Sequence, residues 1–141
     1  LRDNVLTLAE ALERYAPDWQ PPAVDRPAVG QVHCHQSSVL GFEADERLMA
    51  RAGIETSGME RSCCGLAGNF GFEDGHYDVS KAVADRVLIP AVEGAPDGAV
   101  LMADGYSCRT QVQQLAGRRP RHLAEVLAAA LDDPASEDRG R

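Results

Sequence analysis

Positive charge is scarce in this sequence. Fourteen Lys and Arg stand against 22 Asp and Glu, a formal net charge of −8 over 141 residues. That balance argues against a general nucleic-acid surface and against a polybasic membrane patch, and leaves protein partners open. Long apolar runs are missing too: none approaches the roughly 18 residues needed to span a bilayer. No signal peptide is visible in these residues, so none is expected. The first residue is Leu1 and not Met, inside what reads as a helix, so the chain is expected to be part of a longer protein. Lacking a leader and a span, it is expected in the cytoplasm, with membrane association only through partners. What is present is ample apolar material, 44% of residues, enough for one domain to build a core without staples.

Four cysteines occur, Cys34, Cys63, Cys64 and Cys108, and no CxxC pair is among them. Without a secretory context, a disulfide framework is a weaker expectation than metal or redox use. The plain alternative is four buried thiols acting as small hydrophobes. The spacing Cys34-x28-Cys63-Cys64-x43-Cys108 also departs from the paired knuckles of structural zinc sites.

Hydrophobic periodicity orders the rest. Apolar residues at Val5, Leu6, Leu8, Ala9, Leu12 and Ala16 predict a helix over 3–16 with Asp3 as its N-cap. Four prolines in 17–27 predict an extended connector anchored by Trp19. A short strand is expected in 28–36 and a helix over 37–53 closed by Gly53. Another strand is expected over 54–60, and a long amphipathic helix over 76–95 with a kink or break at Pro90. The clearest buried strand runs from Ala99 to Ala103, followed by short helices within 109–117 and 118–131. The charged segment 132–141 has no apolar face and is expected to be disordered. Alternating strands and helices predict an α/β fold, a small parallel sheet flanked by helices.

In such a sheet the carboxyl ends of the strands share one edge, where ligand sites form. Cys34 is expected at the end of the first strand, Cys63 and Cys64 in the loop after the second, and Cys108 just past the third. Three distant segments therefore deliver all four thiols to one edge. They come in "HCHQSS", "RSCCGLAG" and "DGYSC", loops whose glycines and N–H groups suit a close, negatively charged sulfur site. Four thiolates hold zinc or a [4Fe–4S] cluster. The adjacent pair fits an extended cluster more naturally than two corners of one tetrahedron. A strained Cys63–Cys64 disulfide is a further alternative. His33 and His35 flank Cys34; each is a candidate ligand, a donor to sulfur or an acid/base, against the plain alternative of a loop histidine bonded to backbone. His76 and His122 read as helix-start or structural residues. Arg109 either balances thiolate charge or lies on its helix. Asn69 and Gln36 carry amides suited to an anion, and Asp104 caps a turn or adds a carboxylate.

Taken together, "HCHQ", "CCGLAGNFG" and "DGYSC" resemble the cysteine-rich CCG domain. That module occurs in heterodisulfide reductase-like proteins and in the C-terminal region of FAD-linked oxidases with iron–sulfur modules, the D-lactate and D-2-hydroxyglutarate dehydrogenase-like proteins. The resemblance runs from about Val29 to Leu131. With the helix and connector of 1–27 and the charged tail of 132–141 read from pattern, the expected division is 1–27, a CCG domain over 28–131, and 132–141. The resemblance implies Cys34, Cys63, Cys64 and Cys108 as metal ligands; from the loop residues themselves, His35, Asn69, Gly65 and Gly68 are expected against the cofactor. It also implies upstream flavin and iron–sulfur domains in a parent chain that passes electrons from FAD to an acceptor. The family pattern commonly closes in CxxC, and Gly105 stands at the first of those two positions. With one ligand missing against that pattern, an ordinary [4Fe–4S] site, a site shared with an upstream module and a zinc site stay open. The expected function is an iron–sulfur electron-transfer module of a flavin-linked 2-hydroxy-acid oxidoreductase. The alternatives are a zinc-holding docking domain and a thiol/disulfide catalytic module.

Overall fold

A computed structural model describes residues 5–132. The Asp3 cap and nearly all of the expected C-terminal tail lie outside them. The described chain is α/β: three parallel strands in the order β2-β1-β3, with seven α-helices around them. The strands are β1 (Arg26–Gln31), β2 (Ile54–Glu60) and β3 (Val100–Ala103). The helices are α1 (Leu8–Tyr15), α2 (Cys34–Val39), α3 (Glu43–Arg51), α4 (Tyr77–Ala84), α5 (Leu88–Glu93), α6 (Tyr106–Ala116) and α7 (Leu123–Leu131).

Side chains alternate across the sheet, and the two faces have separate cores. Ala28, Val100 and Met102 face one side, where Leu48, Met49, Leu123 and Val126 from α3 and α7 cover them. Val29, Leu101 and Ala103 face the other, against Leu88, Val92 and Val112 of α5 and α6. The central strand contains a proline, Pro27, which cannot donate to a ladder. It sits one residue into β1, and the register with β2 shifts between Pro27 and Val29, so the missing donor falls at an irregularity.

Several element boundaries differ from the periodicity. α1 starts at Leu8, capped by Thr7, whose hydroxyl accepts from the Glu10 N–H while Glu10 closes a capping box. The helix expected over 37–53 is two helices, separated at Leu40–Phe42, with α2 beginning at Cys34. The helix expected over 76–95 is also two, but its break falls at 85–87, ahead of Pro90. Pro90 occupies the first turn of α5, where the N–H it lacks would have had no helical partner anyway. The helix after the third strand opens earlier than its apolar pattern, at Tyr106. Cys34 and Cys108 therefore stand in the first turns of helices and not in open loops.

Candidate metal centre at the carboxyl edge of the sheet

The strand ends are level. Gln31 pairs with Glu60 on one side and with Ala103 on the other. From that common edge the chain leaves in three places, and each departure carries thiols within a few residues. In the order β2-β1-β3, β1 connects to β2 and the chain then crosses to β3 on the opposite side of β1. The segments after β1 and β3 diverge there, opening the crevice that open α/β sheets offer to ligands.

The thiols influence one another across this edge. Cys64 and Cys108 are buried, and a side-chain hydrogen bond between their sulfurs shifts the two thiols in opposite directions. That bond, followed by the N–H groups of Leu66 and Ala67, outweighs burial and holds Cys64 well below an ordinary thiol. Cys108 is pushed up by the same bond, by burial, and by the charges of Cys64, Cys34 and Cys63. Cys34 is raised by burial and then by Cys63 and Cys64. The Gly65 N–H donates to the Cys63 sulfur at 3.4 Å. A thiol lowered beside backbone N–H donors, with three further thiols on the same sheet edge, is an environment that favours a nearby cation. Cys34 and Cys63 are exposed. Among the described residues no three His, Cys, Asp or Glu side chains already surround one point at ligand spacing.

Buried polar side chains that the sequence pattern did not single out hold this arrangement. Gln31, at the end of the central strand, donates its amide to the Val32 carbonyl at 2.9 Å and to the Ser62 carbonyl. Ser62 returns a hydroxyl to Gln31. The loop entering Cys63 is thus pinned to the middle of the sheet edge. On its far side, Gly65 has φ +87, and a Cβ there would lie 2.1 Å from the Ser80 carbonyl oxygen of α4. Both the backbone conformation and the close approach demand glycine. Ser80 in turn accepts from the Gln111 amide of α6, 3.0 Å to its hydroxyl and 3.2 Å to its carbonyl. The Gly68 N–H donates to Ser107 at 3.2 Å. A polar residue following an apolar strand pattern, such as Gln31 after Val29, is the only local signal that marked any of these.

Other sequence candidates are placed as follows. Asn69 is exposed and gives its amide to Glu73 at 3.0 Å. Gln36 gives its amide to the buried Asp45 at 3.1 Å. Arg109 lies on α6 and pairs with Glu125 at 3.3 Å, so its charge is directed at α7. Asp104 accepts from the Leu123 N–H at 2.8 Å. His122 caps α7, its Nδ1 accepting from the Ala124 N–H at 3.0 Å. His35 is exposed, with its ring 6.2 Å from that of His33. His33 is half-buried and held below its usual value by burial and by His35, with Asp104 opposing. Beside the thiol edge, a cleft of about 340 Å³ is lined by Thr7, His33, His35, Asp45, Asp104 and His122, among others.

Fold and site together define a class: a small parallel α/β module carrying four cysteines on the carboxyl edge of its sheet. Particular proteins resemble it. The chain is 33% identical over 82 residues to a D-2-hydroxyglutarate dehydrogenase of Pseudomonas putida, covering 58% of this chain and 8% of that protein. It is 29% identical over 123 residues to the Escherichia coli D-2-hydroxyglutarate dehydrogenase, covering 79% of this chain and 12% of that protein. It is 29% identical over 79 residues to one of the subunits of the Escherichia coli anaerobic glycerol-3-phosphate dehydrogenase, covering 56% of this chain and 19% of that polypeptide. The chain thus spans a small part of each of these relatives. No family model and no solved structure matches it. No helix among the described residues is long and apolar enough to cross a membrane.

Proposed function

We propose that this chain is an electron-transfer module of the CCG type, spanning residues 28–131, within a flavin-linked oxidoreductase acting on 2-hydroxy acids. Cys34, Cys63, Cys64 and Cys108 hold an iron–sulfur cluster, which relays electrons from FAD elsewhere in the parent chain to an acceptor. The single observation that carries this proposal is the delivery of all four cysteines, from three separate segments, to positions within a few residues of the level strand ends at one sheet edge, with the Gly65 N–H donating to the Cys63 sulfur. Hydrogen bonds to sulfur of this kind stabilise the charge of a thiolate-ligated cluster and set its potential. When bound, the cluster supplies one-electron chemistry; the chain's own residues hold it and shield part of it from water. His35, Asn69, Gly65 and Gly68 border the cofactor. The names of the relatives support the redox context, since two are dehydrogenases of a 2-hydroxy acid and the third belongs to another dehydrogenase.

The test is anaerobic reconstitution of the chain with iron and sulfide, followed by metal and labile-sulfide analysis. Stoichiometric iron and sulfide, lost in Cys64→Ser, is the expected result. Stoichiometric zinc with no labile sulfide would end the cluster assignment. Zinc is the second reading because four thiolates also suit a tetrahedral ion.

A further inference from the structure

We propose that the exposed segment 72–79, beside the thiol edge, is a docking surface for a basic protein whose contact face has an apolar centre ringed by Lys and Arg. The surface follows from exposure, packing and charge. That the protein docked there exchanges electrons with the thiol edge rests on the proposed function.

The segment holds three large apolar side chains in water: Phe72 is 58% exposed, Tyr77 56% and Val79 52%. Exposed apolar residues scattered singly need no explanation, but three within so short a stretch are not a scatter. A closely packed interior carries them. Phe72 ends a single 3₁₀ turn, Phe70–Phe72, that leads toward α4. Behind it, Phe70 stacks on His76 with ring centroids 4.3 Å apart. Gly71 is buried, and a Cβ there would lie 2.4 Å from the Ser80 hydroxyl oxygen and 2.7 Å from Leu66 Cδ1. Ser80 is itself held by the Gln111 amide of α6. The outward residues thus stand on an anchored frame, and a backbone already fixed in place loses little further freedom on binding. The frame belongs to the thiol edge. It follows the loop of Cys63 and Cys64 in the chain, and the Gly68 N–H bond to Ser107 ties that loop to the start of α6, where Tyr106 is 78% exposed.

Charge selects the partner. Glu73, Asp74 and Asp78 are exposed between the apolar residues. Among the described residues no Lys or Arg pairs with them: Glu73 meets His76 and the Asn69 amide, and Lys81 is taken by Asp85. By contrast, Glu13 on α1 and Glu46 on α3 are neutralised in place by Arg47 and Arg61. Apolar side chains interleaved with unneutralised carboxylates match a face of opposite sign with an apolar centre. A second copy would bring the same carboxylates together, and an anionic lipid surface would repel them.

Amide NMR of the isotope-labelled chain, titrated with cytochrome c as a basic protein probe, tests the proposal. At low salt the largest shift changes are expected at 70–79 and around Tyr106. Affinity should fall at least about tenfold between about 20 and about 200 mM salt. Phe72→Ser/Tyr77→Ser should weaken binding at least about fivefold with no change of net charge. Asp74→Lys/Asp78→Asn should weaken it at least about tenfold. Glu93→Gln/Asp97→Lys makes the same change of net charge between α5 and β3, at the amino edge of the sheet, and should alter affinity by less than about threefold. The amide spectrum shows that each variant is folded. No binding at low salt, shift changes centred on another face, equal effects from the two charge variants, or full affinity in Phe72→Ser/Tyr77→Ser overturns the docking surface. Each of these leaves the cluster assignment standing, which iron and sulfide analysis decides separately.

Discussion

Replacing Asp45 by Asn should stabilise the protein, and only above a definite pH. Asp45 is 2% exposed on α3, beneath the cleft next to the thiol edge. Burial and then the charge of Asp104 push its carboxyl from 3.8 up to about 6, against hydrogen bonds from Gln36 and Thr7. The folded carboxyl thus keeps its proton to higher pH than the unfolded one. Its contribution to stability is greatest below about pH 4, declines as the pH rises to about 6, and stays low above that. At about 1.4 kcal/mol per pKa unit, the penalty at neutral pH is at most about 3 kcal/mol. Asparagine fits the same space; its oxygen accepts from Gln36 and its amide meets the Thr7 hydroxyl. Glu13, Glu43 and Glu125 are lowered by hydrogen bonds and nearby arginines and titrate in the opposite sense. They are common to both proteins and cancel in the difference. Urea unfolding of wild type and Asp45→Asn at pH 4 and pH 7.5 is the assay. The gain from the substitution should be small at pH 4 and about 2–3 kcal/mol at pH 7.5, on the order of 10 °C in Tm. A gain independent of pH, or a loss that deepens toward pH 7.5, would refute the account of a buried, strained charge.

Further outcomes follow from the same packing. Gly65→Ala should cost about 2 kcal/mol or more, from the left-handed backbone and the overlap with the Ser80 carbonyl; thermal unfolding measures it, and a change below about 0.5 kcal/mol would contradict the close approach. Gln31→Leu should cost about 1–3 kcal/mol by leaving the Ser62 carbonyl without its donor, and should raise the reactivity of Cys63 toward a thiol reagent as its loop loosens. In the reduced, metal-free protein, iodoacetamide should modify the exposed Cys34 and Cys63 first and reach Cys64 and Cys108 mainly after unfolding, as peptide mass spectrometry would show; equal labelling of all four would contradict the burial of the inner pair. Arg109→Ala should change stability by no more than about 1 kcal/mol, the scale of a surface ion pair with Glu125, and should leave metal uptake unaltered, as iron or cobalt titration would show.

The sequence by itself determined the class of fold and the edge on which the thiols lie. Runs such as Val100–Ala103 are buried on both faces, and a strand followed by a crossover helix has one favoured direction, so parallel strands and a shared carboxyl edge follow from local pattern. It did not determine where the helices break. Periodicity reports which residues are apolar, not that Leu40–Phe42 leaves the helical path or that Pro90 can serve a first turn. Nor did it separate the four cysteines into an exposed pair and a buried pair, because that depends on which side of the loop faces α4 and α6. The roles of Gln31, Ser80 and Gly65 were decided only by tertiary structure. Each acts on a partner distant in the chain: Gln31 on Ser62, Ser80 on Gln111, Gly65 on Ser80. Hydrogen bonds and steric vacancies of that range have no local periodicity, so they exist only once the sheet has brought its strand ends level.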